Sequence, residues 1–448
     1  MASPDLDLRR REALFEALAS GVFDVAIIGG GITGAGVARD AALRGLTVAL
    51  VEAGDFAYGT SSRSSKMIHG GLRYLAQGDL ALVREAASER KIVQAIAPHL
   101  AVETPFVIPA RSAAAIARLR AGLWTFEKLG GVPRAKAHHL WSAAELGERE
   151  PALDATGLAG AVVYPEYLTN DARLTLANVR SAVAAGALAL NYAKVEGIIV
   201  EGGRAVGLEV ADVSPSGAAR RVRLSARVIV NAAGPWVDAV RAMEAAGGAP
   251  RLALSRGVHL VIPRRRAPVE RTVIVPAGGG RSIFVVPKGE ATYIGTTDTF
   301  HPDAETWPPI TRADADYLLA AANARLAGPP ITLSDIVAAW SGVRPLVGEA
   351  GKGASETSRR DEIWTGPAGV LSIAGGKLTA YRRMAERVVD RVEAALGRTP
   401  SPCRTARLPL VGGEVSPEAV RRQLQDQGLG DVAVQRLTGL YGAEAPGV

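Results

Sequence analysis

Residues 23–52 read FDVAIIGGGITGAGVARDAALRGLTVALVE. The pattern predicts a strand over 24–28, a glycine turn, a helix, and a second strand over 47–51 that ends on an acid. Gly29, Gly31 and Gly34, with Gly30 between the first two, give the G-x-G-x-x-G spacing. The first glycine serves a tight turn, the second a close approach of pyrophosphate to the backbone, and the third close packing of helix on strand. The helix start then offers free N–H groups and a positive dipole end to phosphate. Glu52 follows Gly34 by 18 residues, near the spacing of about 20 at which an acid holds the adenosine ribose. A glycine triplet framed by strand, helix and strand and closed by an acid marks a dinucleotide site.

The remaining composition narrows the chemistry. A chain of 448 residues suits about two or three domains. Apolar residues make up 48% and charged residues 22%, a balance that excludes wholesale disorder. The single cysteine, Cys403, excludes an intramolecular disulfide and a cysteine-based metal cluster, and suits a reducing compartment. The six histidines have no metal-ligand spacing, so no metal is expected. The net charge of +7 comes mostly from arginine and has no nucleic-acid-binding motif beside it, so no nucleic-acid partner is expected. A basic surface does suit an anionic substrate or an anionic membrane face. The arginine runs at 9–11, 220–223 and 264–266 read as solvated faces. The segment before Phe23 has no apolar core of a signal peptide, and no uncharged run reaches the roughly 18 residues that span a bilayer. Membrane association, where it occurs, is therefore expected to be peripheral.

Along the chain, helical periodicity covers 78–96, PFVIP at 105–109 is a strand between prolines, and 174–185 is a helix. ARVIVNA (226–232) reads as a buried strand of a parallel sheet. Between 258 and 297 the short runs VHLVIP, TVIVP, SIFVVP and TYIGTT alternate with Gly and Pro, the signature of a mostly antiparallel sheet. A helix over 314–326, strands over 336–340 and 370–373, and a long helix over 379–396 follow. Two short helical patterns at 417–427 and 432–441 end the chain. The expected fold is α/β: a Rossmann-like dinucleotide domain, discontinuous over 22–110, 174–245 and 340–397. A substrate domain on a mostly antiparallel sheet occupies 111–173 and 246–339, and 398–448 is a short C-terminal helical segment.

Several motifs resolve which dinucleotide. GTSSRSSKMIHGGLRYL (59–75), VIVNAAGPWVD (228–238), SGVRPL (341–346) and AGGKLT (374–379) occur in order, with APHL (97–100), NDARL (170–174), RGVH (256–259) and IGTTD (294–298). Together they resemble the FAD-dependent aerobic glycerol-3-phosphate dehydrogenases of the D-amino-acid-oxidase-like flavoprotein superfamily. The resemblance runs from about residue 22 to 397. It implies FAD as cofactor, oxidation of sn-glycerol 3-phosphate to dihydroxyacetone phosphate by hydride transfer to flavin N5, and a membrane quinone as electron acceptor. It further implies a cytoplasmic enzyme held peripherally on the inner face of the cell membrane, with a homodimer among its partners. Residues 398–448 match only the opening of the helical domain that such proteins carry, so the domain is either reduced or cut short.

The resemblance also assigns roles. Thr60, Ser61, Ser62, Ser65 and Lys66 line the cofactor beside Gly29, Gly30, Gly31, Gly34 and Glu52; Ala232, Gly234, Gly376, Lys377 and Thr379 complete its site. FAD is held without a covalent link, despite His69 nearby. Arg344 grips the substrate phosphate, a task to which a guanidinium's bidentate geometry suits it. Arg73 and Tyr74 form a second substrate contact. His259 and Lys377 compete as the base for the hydroxyl proton; a histidine at the start of an apolar strand is, on residue grounds alone, more often structural. Three rivals use the same motifs: an oxygen-consuming glycerol-3-phosphate oxidase, an amine or amino-acid oxidase, and an inactive truncated flavoprotein.

Overall fold

A computed structural model describes residues 6–70, 80–215, 220–245, 249–278, 280–348 and 361–448. Its first sheet runs in the order Asp361–Thr365, Leu371–Gly375, Arg221–Asn231, Val22–Ile28, Val48–Val51 and Leu188–Leu190. The first pairing is antiparallel and the other four are parallel. A hairpin, Ala193–Glu201 and Arg204–Asp212, extends it through Arg221–Asn231. Val48–Val51 is buried throughout, as a parallel strand covered on both faces must be.

Alternate residues of Val22–Ile28 serve opposite faces. Val25 and Ile27 meet the helix Ile32–Leu43 and Val388, Val389 and Val392 of the helix Tyr381–Ala395. Ala26 and Ile28 meet Phe15 and Leu18 of the helix Arg11–Ser20, which the sequence patterns did not predict, and the hairpin's Val195, Leu208 and Val210. The glycine spacing has a direct steric cause. A Cβ on Gly34 would lie 1.9 Å from the carbonyl oxygen of Gly29, and one on Gly36 would lie 3.1 Å from the ring of Tyr381.

The second sheet runs Thr299–Phe300, Leu252–Pro263, Ala291–Gly295, Ser282–Lys288, Thr272–Pro276, Ala101–Ala110, Gly160–Thr169 and Met67–Ile68. Ala338–Val347 pairs with Leu252–Pro263, and His139–Ser142 with Gly160–Thr169. Its pairings are antiparallel except the short one between Thr272–Val273 and Phe106–Val107. The strands Ala101–Ala110 and Ala338–Val347 lie largely in segments expected to belong to the nucleotide domain, and both pair in this sheet. Strand pairing is non-local, and segment boundaries drawn from local pattern do not contain it. The helices Ala113–Gly130 and Arg312–Asn323 cover opposite faces.

The C-terminal helices Pro417–Asp426 and Asp431–Tyr441 share a small core of Val420, Leu424, Val434 and Ala445. They dock on the first unit through polar contacts. Arg173 donates to the Leu440 carbonyl at 2.5 Å, Arg180 pairs with Glu444 at 2.5 Å, and Arg39 donates to the Leu408 carbonyl at 2.6 Å. His99 is buried in this seam, where glycines at 412 and 442 leave room for its ring. Burial, reinforced by the Arg173 charge and opposed by Glu444, pushes its pKa from 6.5 down to about 4. The unfolded chain takes up that proton near 6.5, so stability is full above this value and declines as pH falls toward 4. His99→Gln should therefore abolish roughly 2 kcal/mol of the stability lost between pH 7 and pH 5. Urea denaturation of both proteins at the two pH values measures it; equal losses in the two would refute the assignment.

Candidate active site

Three segments emerge at the carboxyl edge of the parallel sheet, where ligands of open α/β sheets bind. They are the turn after Ile28, the turn after Asn231, and the Gly375–Gly376 turn after the strand that ends there. Gly29 has φ +109, and a Cβ on it would lie 2.6 Å from the carbonyl oxygen of Ala232. Gly30 N–H donates to one carboxylate oxygen of Glu52 and Gly54 N–H to the other, each at 2.7 Å. Burial raises the Glu52 pKa against these two hydrogen bonds. Gly31 caps the helix Ile32–Leu43 without a side-chain bond of its own, while Ile32 N–H donates to Ser61 Oγ at 2.9 Å. Gly234 has φ +56 and open space where its Cβ would stand. A helix start capped by glycine and Ser61, a ribose-spaced acid and an open glycine in the turn after the neighbouring strand fit FAD: Gly29–Gly31 and Ser61 would meet its phosphates and Glu52 its adenosine ribose.

Residues 59–66 carry the cleft from this turn to the second sheet. Thr60 Oγ1 donates to the Val343 carbonyl at 2.5 Å, Trp340 Nε1 to the Ser64 carbonyl at 3.3 Å, and Tyr293 to the Ser65 carbonyl at 3.0 Å. Ser65 Oγ shares a 2.9 Å hydrogen bond with His259 Nε2. From the other side Asp171, fully buried, accepts from Ser64 Oγ at 2.7 Å and from Lys66 Nζ at 2.8 Å. Of the loop side chains predicted to line the cofactor, only Ser61 reaches the glycine turn. Thr60 and Ser65 are bonded to the second sheet, Lys66 to Asp171 and the Ser62 carbonyl, and Ser62 stays within the loop.

The second sheet contributes His259 and Arg344. In the register of the two strands His259 opposes Trp340, Gly257 opposes Gly342, and Ser255 opposes Arg344, so these residues share one face. The glycine at 257 makes room for Arg344: a Cβ there would lie 2.2 Å from Nη2 of its guanidinium, which lies across the strand and would have to move. Asp298 holds Nη1 at 3.1 Å and Thr296 Oγ1 holds Nη2 at 3.0 Å. The His259 ring stacks on Trp340 with centroids 4.6 Å apart, and lies where a Cβ on Gly295 would be. Burial, then the charges of Arg344 and Lys66, hold its pKa well below 6.5. The imidazole is thus neutral at neutral pH and able to accept a proton.

Lys377 stands after Gly375 and Gly376, both at positive φ, and its charge lowers the pKa of buried Glu166, though burial raises it overall. Thr379 Oγ1 accepts from His69 N–H at 3.2 Å and donates to the His69 carbonyl at 3.1 Å, so its hydroxyl is occupied by the protein. Arg73 and Tyr74 lie outside the described residues. Sequence reading passed over Asp171, Asp298 and Trp340 as site residues, although NDARL and IGTTD contain the two acids. Their role lies in partners more than 40 residues away along the chain, which no local pattern displays.

The FAD dependent oxidoreductase (DAO) family profile matches residues 24–382. The chain is 41% identical over 411 residues to an aerobic glycerol-3-phosphate dehydrogenase of Bacillus subtilis, covering 90% of this chain and 74% of that one. It is 42% identical over 414 residues to the protein so named in Staphylococcus aureus, covering 91% and 74%. Among solved structures, the glycerol-3-phosphate dehydrogenase of Bacillus halodurans, complexed with FAD, superposes with a TM-score of 0.80 at 36% identity, over 99% of this chain and 80% of that one. The chain belongs to the DAO family of FAD-dependent oxidoreductases and, within it, to the aerobic glycerol-3-phosphate dehydrogenases.

Proposed function

We propose that the chain oxidises sn-glycerol 3-phosphate to dihydroxyacetone phosphate with FAD, and passes the electrons to a membrane quinone. The observation that carries this reading is the His259 imidazole and the Arg344 guanidinium on one sheet face, joined to the glycine turn by a single loop. Bound FAD supplies the hydride acceptor. Arg344, its plane fixed by Asp298 and Thr296, holds the substrate phosphate. Arg73 and Tyr74 supply a second contact in this reading, on the strength of the sequence motif. His259 takes the hydroxyl proton, with Lys377 the alternative base. The cations that depress the His259 pKa are Arg344 and Lys66; a phosphate dianion arriving beside them offsets that effect and makes the imidazole more basic when substrate is present.

Anaerobic addition of sn-glycerol 3-phosphate should bleach the flavin absorbance of the purified protein, while glycerol, sarcosine and D-alanine should not. Bleaching by an amine alone, or by none of the four, would sink the reading. His259→Asn should slow bleaching roughly 100- to 10,000-fold, and a larger loss in Lys377→Met would transfer the base to Lys377. In the substrate-free protein, nitrogen-15 NMR of the imidazoles should find His259 still neutral at pH 6, since its folded pKa lies well below 6.5. A His259 titration midpoint at or above 6.5 would contradict the geometry.

A quinone acceptor would bring the enzyme to a membrane, and one surface suits that location. No helix among the described residues is long and apolar enough to cross a membrane. The helix Ala113–Gly130 exposes Ala114, Ala117, Ala121 and Trp124 in one stripe, flanked by Arg118, Arg120 and Lys128. Leu140 is exposed on the sheet edge beside it, on the same face as the residues this helix covers. Among the described residues no acid pairs with Arg118 or Arg120, and basic residues near an anionic surface contribute about 1 kcal/mol each. The protein should sediment with phosphatidylglycerol-containing vesicles but not with phosphatidylcholine alone. Trp124→Ser combined with Arg118→Glu and Arg120→Glu should release it; undiminished sedimentation of that variant would move the membrane contact elsewhere.

A further inference from the structure

Arg63 lies in the middle of the 59–66 loop and belongs to none of the contacts above. Its side chain is 6% exposed, and no carboxylate pairs with it among the described residues. Nη1 donates to the Gly59 carbonyl at 2.9 Å and lies 3.3 Å from Ser62 Oγ, while Nε is buried without a hydrogen-bond partner. What meets the charge is aromatic. The guanidinium carbon stands 3.8 Å from the ring centroid of Trp307 and 5.1 Å from that of Tyr58. Trp307 Nε1 donates to the Tyr58 hydroxyl at 3.3 Å, locking the two rings together. The usual surface order is inverted: the rings are exposed, Trp307 at 60% and Tyr58 at 45%, and the cation is inside. A buried cation without an acid is costly unless something replaces its hydration, and ring faces attract a desolvated guanidinium.

The two sides of this stack belong to different units. Tyr58 precedes, and Arg63 lies within, the loop that reaches the glycine turn through Ser61. Trp307 lies in the 301–311 segment between the strand Thr299–Phe300 and the helix Arg312–Asn323. That segment is fastened to the two strands that carry His259 and Arg344. Ser341 Oγ donates to the Pro308 carbonyl at 2.5 Å, and Arg256 Nη1 to the Pro309 carbonyl at 2.5 Å. Arg256 also pairs with Asp314 at 2.9 Å, at the start of the helix that follows. On its other side Arg63 rests on the substrate sheet, since a Cβ on Gly342 would lie 2.7 Å from Arg63 Cβ.

We propose that Arg63 is a positioning residue, clasped by Trp307 and Tyr58, that holds the cofactor-side loop against the substrate sheet and slows release of FAD. The clasp acts through its neighbours: Ser61 at the helix start and Ser65 on His259 are kept in register because the loop between them cannot lift. The proposal rests on the assignment of the glycine turn and this loop to FAD.

The test is the rate at which diluted holoenzyme releases FAD, followed by the rise in free-flavin fluorescence. Trp307→Ala and Arg63→Met should each release FAD about tenfold faster. The double variant should be no faster than the faster single one, because both remove the same contact. Trp307→Phe, which keeps a ring face, should restore the wild-type rate. Trp307 is exposed and its replacement leaves no cavity, so this pair decides the matter even where Arg63→Met fails to fold. A wild-type rate in Trp307→Ala, no rescue by phenylalanine, or rates that multiply in the double variant would overturn the clasp. Wild-type protein that binds no FAD would overturn the cofactor reading together with it.

Discussion

One buried carboxylate fixes the geometry of the cleft. Asp171 begins the helix Asp171–Ala184, whose residues Val179 and Ala182 lie in the core under the glycine-turn helix. The same carboxylate accepts from the Ser64 amide and hydroxyl and from Lys66. The loop that spans the two sheets is therefore anchored to the nucleotide unit at its middle. At its start it is held by Ser61 on the glycine turn, and along its outer side by Val343, Trp340 and Tyr293 of the second sheet. Without Asp171 the anchors on the substrate side would remain, but Lys66, at φ +55, would lose its ion pair and keep only its bonds to the Ser62 carbonyl, Ser64 and Thr169. Charge-assisted hydrogen bonds to a buried acceptor are the stronger kind, which suits a position on which two units converge.

The second constraint is that backbone must come close to backbone, or to a functional group, where a side chain would intervene. At Gly34 the neighbour is the Gly29 carbonyl, at Gly257 the guanidinium of Arg344, and at Gly295 the ring of His259. In the nucleotide unit the close approach seats a helix on a strand. In the substrate unit it lets the Arg344 and His259 side chains lie flat on the sheet. The flat arrangement brings the Arg344 charge to bear on the imidazole, where it adds to the burial that lowers the ring's proton affinity.

The legible part of this protein was the part whose chemistry is local. The 23–52 stretch declares strand, turn, helix and acid within a single βαβ unit, and the structure places Glu52 on the Gly30 amide. The antiparallel runs between 258 and 297 were legible for the same reason, since each strand ends at its own Gly or Pro. Less legible were matters of partnership. Ala101–Ala110 reads as a strand but does not announce that it pairs with Gly160–Thr169. Thr60, Ser65 and Lys66 read as cofactor-lining polar residues, and nothing near them in sequence shows that Val343, His259 and Asp171 claim their side chains. Arg63 sits among these serines without any local sign that a tryptophan more than 200 residues later stacks on it.

That stack follows from the charge requirements of the cleft. A buried arginine is most simply satisfied by a carboxylate, and elsewhere this protein does so: Arg90 pairs with Glu166 and Arg382 with Glu89, all four buried. A carboxylate opposite Arg63 would place a negative charge on the loop that faces both the phosphates of a dinucleotide and an anionic substrate. Aromatic rings hold the guanidinium through their quadrupoles and bring no net charge. The loop can then be fastened while the local potential stays positive, as recruitment of a phosphate dianion requires. Arg344 is paired with Asp298 and Lys66 with Asp171, whereas among the described residues no carboxylate pairs with Arg63, whose charge therefore stays on the loop. An aromatic clasp is thus the form of anchor that leaves the field of the site unchanged.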